Sequence, residues 1–342
     1  MRILVDAMGG DHAPSQVVLG AIDAAKSQDV EVVLVGRGET ILQTLKEEGI
    51  NDLPKGVEIA NAEDVVDMHD DPATVIKKRP DSSMIVGLRM LADGQGDAFV
   101  SAGSTGALLT AATLIVKRIK GIRRAAMGPV MPTATGNCVL IDCGANAECT
   151  PEFLQQFAQM GAIYAEKVLG KENPTVGLLN IGTEDSKGGA LQKDTYALLH
   201  ADGALGKINF IGNIEARDVP LGGADVVVAD GFTGNVLLKG IEGTAKFMAG
   251  MMKQMFKKNI LTMLAAVFCK SGIDAFKKKM DYRETGGTVF IGIKKPVVKA
   301  HGSSDRRAIE CAIRQAAAAA KADVAGKIAE AMAKTEEMQH AE

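Results

Sequence analysis

Tryptophan is absent from the 342 residues, and Phe, Tyr and Trp together supply only 4%. A single-strand nucleic-acid surface built on stacked aromatic rings therefore has little to work with, and nucleic acid is not expected as a partner. Cysteine is scarce and odd in number: Cys138, Cys143, Cys149, Cys269 and Cys311 form no C-x-x-C pair and have no histidines at metal-ligand spacing. That excludes a disulfide framework and a zinc module, and predicts reduced thiols. No stretch approaches the roughly 18 consecutive apolar residues that span a bilayer. The opening MRILVDAMGG runs straight into a strand-like pattern without the basic start and cleavage site of a leader, so export is not expected. Also missing are G-x-x-x-x-G-K-[ST] and G-x-G-x-x-G, which leaves ATP and NAD without a motif and predicts that no cofactor is required.

Apolar residues make up 46% of the chain and charged residues 24%, the balance of a folded soluble protein. The length suits one large α/β unit, residues 1–342, as well as it would two smaller ones. Net charge is −3, yet between Lys246 and Arg307 there are fourteen Lys or Arg against four Asp or Glu. An anionic partner is expected at that segment.

Short β-rich runs alternate with helical patterns, which predicts a mostly parallel open sheet with helices on both faces. The strand candidates are Arg2–Val5, Glu31–Val35, Val57–Ala60, Asp97–Val100, Val139–Ile141, Val176–Leu179, Ile208–Ile211 and Val226–Ala229. Helix starts are marked by Pro14, by Asp81-Ser82-Ser83 and by Thr150-Pro151-Glu152. PVMPTATGNCVLID predicts a hairpin turning at Thr135-Gly136-Asn137. Residues 235–280 are helical and Met-rich, and predict two long amphipathic helices meeting at a basic tip. Most of their apolar residues would lie in a core or a subunit interface.

Glycines, hydroxyls and acids gather where strands end. Ser101-Ala102-Gly103-Ser104-Thr105-Gly106 links a strand to a helix, and backbone N–H groups there would cradle an anion such as phosphate. A plain tight turn would look similar. Asn180–Gly188 places Thr183 beside Lys187, a cation for phosphate or a developing oxyanion, or simply a solvated loop lysine. In Ala229–Val236, Asp230, Thr233 and Asn235 stand at another helix start, where capping is the simpler role. Lys299–Asp305 sets His301 beside Ser303 and Ser304, giving an acid, a base or a phosphate donor. Asp6, Gly9 and Gly10 end the first strand, and Asp142 and Asn146 end a central one. These acids could hold magnesium, but their scatter over separate loops argues against a metal site. Cys143 is a candidate nucleophile without a recognisable partner base.

In this order, DAMGGDHAP, SAGSTGALL, IDCGAN, LNIGTEDSKG, ADGFTGNV, the DY–GG stretch near residue 281 and KAHGSSD resemble the phosphate acyltransferase (PlsX) family of bacterial phospholipid synthesis, over nearly the whole chain. The resemblance implies a fold similar to phosphotransacetylases and isopropylmalate dehydrogenases. It also implies a homodimer in the cytoplasm with peripheral membrane contact, and transfer of an acyl group from acyl carrier protein to inorganic phosphate. A glycerol-3-phosphate acyltransferase would take the product. The expected roles are phosphate binding by Ser101, Gly103, Ser104, Thr105, Gly106, Ser303 and Ser304, and catalysis by Lys187, His301, Asn235 and Asp230. Asp6, Gly9, Gly10, Asp142, Asn146, Thr183 and Thr233 would shape the site. Lys257, Lys258, Ile260 and Leu261 would form a tip touching lipid or carrier. A phosphate acetyl- or butyryltransferase using coenzyme A, and a non-catalytic carrier-binding module, remain as alternatives.

Overall fold

The computed structural model describes residues 1–280 and 286–340, so the Asp281-Tyr282 part of the DY–GG stretch falls outside the described residues. Its strands are β1 (Arg2–Asp6), β2 (Glu31–Gly36), β3 (Val57–Asn61), β4 (Ala98–Ser101), β5 (Ala126–Thr133), β6 (Gly136–Ile141), β7 (Thr175–Asn180), β8 (Asn209–Glu215), β9 (Val226–Val228), β10 (Gly287–Ile291) and β11 (Val297–Ala300). They join in one sheet, ordered β3-β2-β1-β4-β11-β10-β5-β6-β9-β7-β8. All eight strands expected from the sequence are present within a few residues of their expected bounds. Two escape that reading: β10 and β11 are short and flank the basic Lys294-Lys295, so neither shows a clear period of its own.

Both faces of the first strands are buried, and the period of two sorts their side chains. Ile3 and Val5 of β1 and Val32 and Leu34 of β2 enter one core, while Leu4, Val33 and Val35 enter the other. The first core is closed by α1 (Ser15–Ser27), α6 (Pro151–Leu169), α11 (Arg306–Lys321) and α12 (Val324–His340), through residues such as Ile22, Phe157 and Ile313. The second is closed by α4 (Ser83–Ala92) and α5 (Thr105–Ala111), through Met84, Leu88 and Leu108. Helices α2 (Gly38–Glu47), α3 (Val75–Lys78) and α7 (Ala190–Ala204) complete the layers. Start signals act where expected: Ser82 and Thr150 sit at N-cap positions, and Pro151 occupies the first turn of α6. The hairpin turns slightly earlier than expected, because Thr133 pairs with Gly136 and leaves Ala134-Thr135 as its loop.

The sheet is less uniform than a parallel reading suggests. Strands β1 to β4 and β11 run one way, β10 and β5 form antiparallel joints, and β6, β9, β7 and β8 run the opposite way. The loops at strand ends thus fall into two sets. Sheet twist of roughly 20–25° per step rotates the second block toward the first.

Residues 231–280 are helical in three pieces instead of two: α8 (Gly231–Phe256), α9 (Ile260–Phe268) and α10 (Lys270–Met280). The break falls at Lys257-Lys258-Asn259, where Asn259 accepts from Thr262 N–H and caps α9. Eight of the nine residues of α9 are apolar, and none is buried.

Candidate active site

The first loop set is built around Asp6. At the end of β1 this carboxylate is wholly enclosed, with Ser83 Oγ donating to Oδ1 and Ser101 Oγ to Oδ2, each at 2.6 Å. Burial pushes its pKa up, and the Ser101 and Ser83 hydroxyls with the Met8 and Gly9 amides pull it back. Asp6 therefore ties β1, α4 and β4 together. Ser101, expected in the phosphate cradle, instead gives its proton to Asp6 and accepts from Gly103 N–H at 3.0 Å.

Close packing draws the neighbouring loops in. A Cβ on Gly9 would lie 2.5 Å from Asp6 Oδ2 and 2.9 Å from Gly103 N, so only glycine lets these backbones meet. Gly10 has a φ of +108° and touches both Ala102 and the Gly302 carbonyl. Asp11 N–H donates to that carbonyl at 2.8 Å. Gly9, Gly10, the Ser101–Gly106 loop and the His301–Asp305 loop thus share one place. Ser104 stands at the α5 N-cap without making a side-chain cap bond, which leaves first-turn N–H groups available to a ligand. Thr105 is half-buried and Gly106 exposed at the rim. A cavity of about 380 Å³ opens on Gly10, Asp11 and Gly103, with Arg37 and Arg79 in its wall. Arg79 already pairs with Asp64 and Asp70, and Arg37 donates to the Glu63 carbonyl.

His301 is exposed. Its Nδ1 accepts from Ser303 N–H at 3.3 Å and lies 2.9 Å from Ser303 Oγ, which places the ring proton on Nε2. Partial desolvation of the ring against the neighbouring loops, together with the nearby Lys239, Lys299 and Lys246, holds its pKa below the ordinary value, against Glu242. The ring is neutral at pH 7. Ser304 is buried, and its Oγ meets no hydrogen-bond partner among the described residues. Asp305 caps α11 through Ala308 N–H.

The second set surrounds Asp142. It is buried, accepts from the N–H groups of Met127, Ala145 and Asn146, and binds the Asn146 carboxamide. Burial raises its pKa against those donors. Asn146 also donates to the Ala125 carbonyl at 2.8 Å. Asp230 accepts from both N–H and Oγ1 of Thr233, so the pair caps α8 and the Asp230 oxygens are already engaged. Asn235 is exposed on the first turns, against Gly144. Cys143 is enclosed, and burial followed by the Asp142 charge pushes its thiol well above the ordinary range, so it is no nucleophile at neutral pH. Asp6 and Asp142, once considered together for magnesium, belong to different sets and already accept hydrogen bonds on both oxygens.

Helix α8 connects the two sets. It begins beside Asp142, and its Lys239, Glu242 and Lys246 act on the charge of His301. Asn235 precedes Lys239 by four residues, about 6 Å of helix. Lys187 stands apart: its loop folds on Asn180 and on Asn213 of β8, Thr183 is exposed, and Lys187 lies 4.0 Å from Glu184. Among the described residues it makes no hydrogen bond with the Ser101–Gly106 loop. The residue that the sequence reading passes over is Lys299. It is 8% exposed, its Nζ donates to the carbonyls of Ala102 (3.4 Å) and Ala300, and burial lowers its pKa to about 8 against Asp11 and Asp6. The available signal was a lysine interrupting the apolar PVVKA run.

Backbone amides, a histidine and a buried lysine thus gather at the adjoining ends of β1, β4 and β11 in an α/β sheet. Solved structures agree on the fold. A phosphotransacetylase from Streptococcus pyogenes superposes with a TM-score of 0.63 at 18% identity, over 94% of each chain. A 4-hydroxythreonine-4-phosphate dehydrogenase from Klebsiella pneumoniae gives 0.54 at 12%, over 94% of this chain and 99% of that one. Sequence goes further: residues 1–327 match the model of the "Fatty acid synthesis protein" family, and the chain belongs to that family. Curated relatives named "Phosphate acyltransferase" include one from Thermoanaerobacterium thermosaccharolyticum, 46% identical over 96% of both chains, and one from Bacillus cereus, 46% identical over 92% of this chain and 93% of its own.

Proposed function

We propose that this protein transfers a fatty acyl group from an acyl carrier protein thioester to inorganic phosphate, giving acyl phosphate and free carrier thiol. One observation carries the reading: the Ser101–Gly106 and His301–Asp305 loops both pack against Gly9–Asp11, bringing the first turn of α5, which has no side-chain cap bond, and a neutral histidine to adjoining strand ends. Phosphate sits on the amides of Ser104 to Ala107, with Gly103 permitting close approach and Thr105, Ser303 and Ser304 offering hydroxyls. Its oxygen attacks the thioester carbonyl directly. The O–C bond forms, the C–S bond breaks, and the departing thiolate takes a proton. His301 Nε2–H hydrogen-bonds the developing oxyanion and Asn235 donates from α8, while the proton that the thiolate takes is the one the attacking hydrogenphosphate gives up on becoming acyl phosphate. Asp6, Gly9, Gly10, Asp142, Asn146, Asp230 and Thr233 hold the loops in shape. Lys187 and Thr183 meet the acidic carrier at the rim.

Phosphate-dependent release of carrier thiol tests this. His301→Ala lowers kcat by about 100-fold or more, Ser104→Ala raises the phosphate KM, and Lys187→Ala acts on the carrier KM. Thiol release without phosphate, or an acylated side chain trapped during turnover, defeats the reading. Short acyl coenzyme A outperforming long acyl carrier protein would favour the acetyl- or butyryltransferase reading that the phosphotransacetylase fold keeps open.

The arm completes the reading. Ile260, Leu261, Leu264, Val267 and Phe268 of α9 are exposed, and no helix among the described residues is long and apolar enough to cross a membrane. Helix α9 lies on the inner face of the cytoplasmic membrane, with Lys257 and Lys258 on anionic headgroups. The apolar face of α8, with Phe247, Met248 and Met251 exposed, joins a second copy into a homodimer. Acyl phosphate then passes at the surface to a glycerol-3-phosphate acyltransferase.

A further inference from the structure

We propose that Lys299 is the resident cation of the phosphate site, its ammonium contacting a phosphate oxygen from beneath the Ser101–Gly106 loop. This rests on the reading that the loop holds phosphate.

Lys299 is the backbone partner of Ser101 across the β11–β4 pair, so its side chain rises directly under the loop. Two carbonyls, Ala102 and Ala300, accept from Nζ, and an ammonium has three protons to give. The third is left for a ligand. No carboxylate among the described residues stands within ion-pair distance of Nζ, although only 8% of the residue is exposed. A buried cation without a direct counter-ion is costly, and an arriving anion removes that cost. The charged and titratable groups around it do not fill the role. Asp6 on β1 accepts from Ser83 and Ser101, Asp11 acts only at longer range, and His301 is neutral. By contrast, Lys187 is nearly half exposed and leans to Glu184. Burial lowers the Lys299 pKa to about 8, so an anion that binds near or above that pH draws a proton onto the ammonium.

Steady-state thiol release by full-length Lys299→Met, with phosphate and carrier thioester varied separately, is the test. The phosphate KM rises by about tenfold to a hundredfold while the thioester KM stays within about twofold, because one charge-assisted hydrogen bond to phosphate is lost. A phosphate KM unchanged in that variant overturns the proposal. Should Lys299→Met fail to fold, titration calorimetry of the unaltered protein decides. Sulfate, which does not itself titrate, is bound near pH 8.5 in buffers of different ionisation enthalpy. Net proton uptake that persists in His301→Ala supports Lys299, and uptake near zero overturns it. Thr105→Glu separates the two ideas: if it leaves the phosphate KM unmoved, the loop reading fails. If it raises the phosphate KM while Lys299→Met does not, only the lysine is wrong.

Discussion

Phe157 and Phe268 carry the same side chain to opposite fates: Phe157 on α6 is fully enclosed between sheet and helices, and Phe268 at the end of α9 is 87% exposed. The body of the protein buries its large aromatic and aliphatic side chains between sheet and helices and pairs the Asp6 carboxylate with two hydroxyls. Helix α9 of the arm exposes Ile260, Leu261, Leu264, Val267 and Phe268, an apolar surface that nothing among the described residues buries. Stability is therefore concentrated in the body, and the arm's hydrophobicity serves a surface outside the monomer.

The sharpest break between them is a pair of truncations. Phe157→Ala costs about 3–5 kcal/mol of unfolding free energy in chemical denaturation, whereas Phe268→Ala changes it by less than about 0.5 kcal/mol. Equal effects would mean that the arm is part of the cooperative core.

Next is the charge network at Asp6. Its folded pKa is raised, so the native state holds its proton longer than the unfolded chain does. That contribution is fully present below the unfolded carboxylate value and fades as pH rises through the folded one. Asp6→Asn, which keeps the shape but removes the charge, is therefore less destabilising at pH 8 than below the ordinary carboxylate value of 3.8. Denaturation curves at the two values check the sign, and the reverse order contradicts a raised pKa.

Membrane association sharpens the contrast from the arm's side. Leu261→Asp with Leu264→Asp abolishes flotation with anionic vesicles, and charge reversal at Lys257 and Lys258 weakens it in a salt-dependent way. Neither pair alters thiol release from soluble carrier. Retained flotation in both would remove the lipid role.

The smallest effect concerns the thiols. Exposed Cys269 on the arm reacts readily with iodoacetamide in the native protein, while buried Cys138, Cys143 and Cys311 react only on unfolding. Cys143→Ala retains turnover, since no acyl-enzyme forms on it.

Much of this was legible in one dimension. Eight strands, the hairpin, the helix starts and the glycine-rich turns follow from period, β-branched runs and capping residues, which are local properties. The loop membership of His301, Ser104 and Asp142 was readable for the same reason. Other roles were not. Ser101 and Asp230 look like ligand groups in the sequence, but they spend their polar atoms on Asp6 and Thr233, a choice that depends on what a distant strand or a neighbouring turn brings near. Lys187 and His301 read alike as loop residues, yet only His301 lies against the strand-end loops that meet Gly10.

The sequence by itself determined most of the elements, the glycine-rich turns at strand ends and the family, because each depends on residue types at short spacing. Tertiary structure alone decided that the sheet reverses direction at β10 and β5, that the loops divide into two sets linked by α8, and that Lys299 is buried under Ala102. Those facts depend on pairing between segments up to about two hundred residues apart, and hydrophobic period carries no record of which strand will be the neighbour.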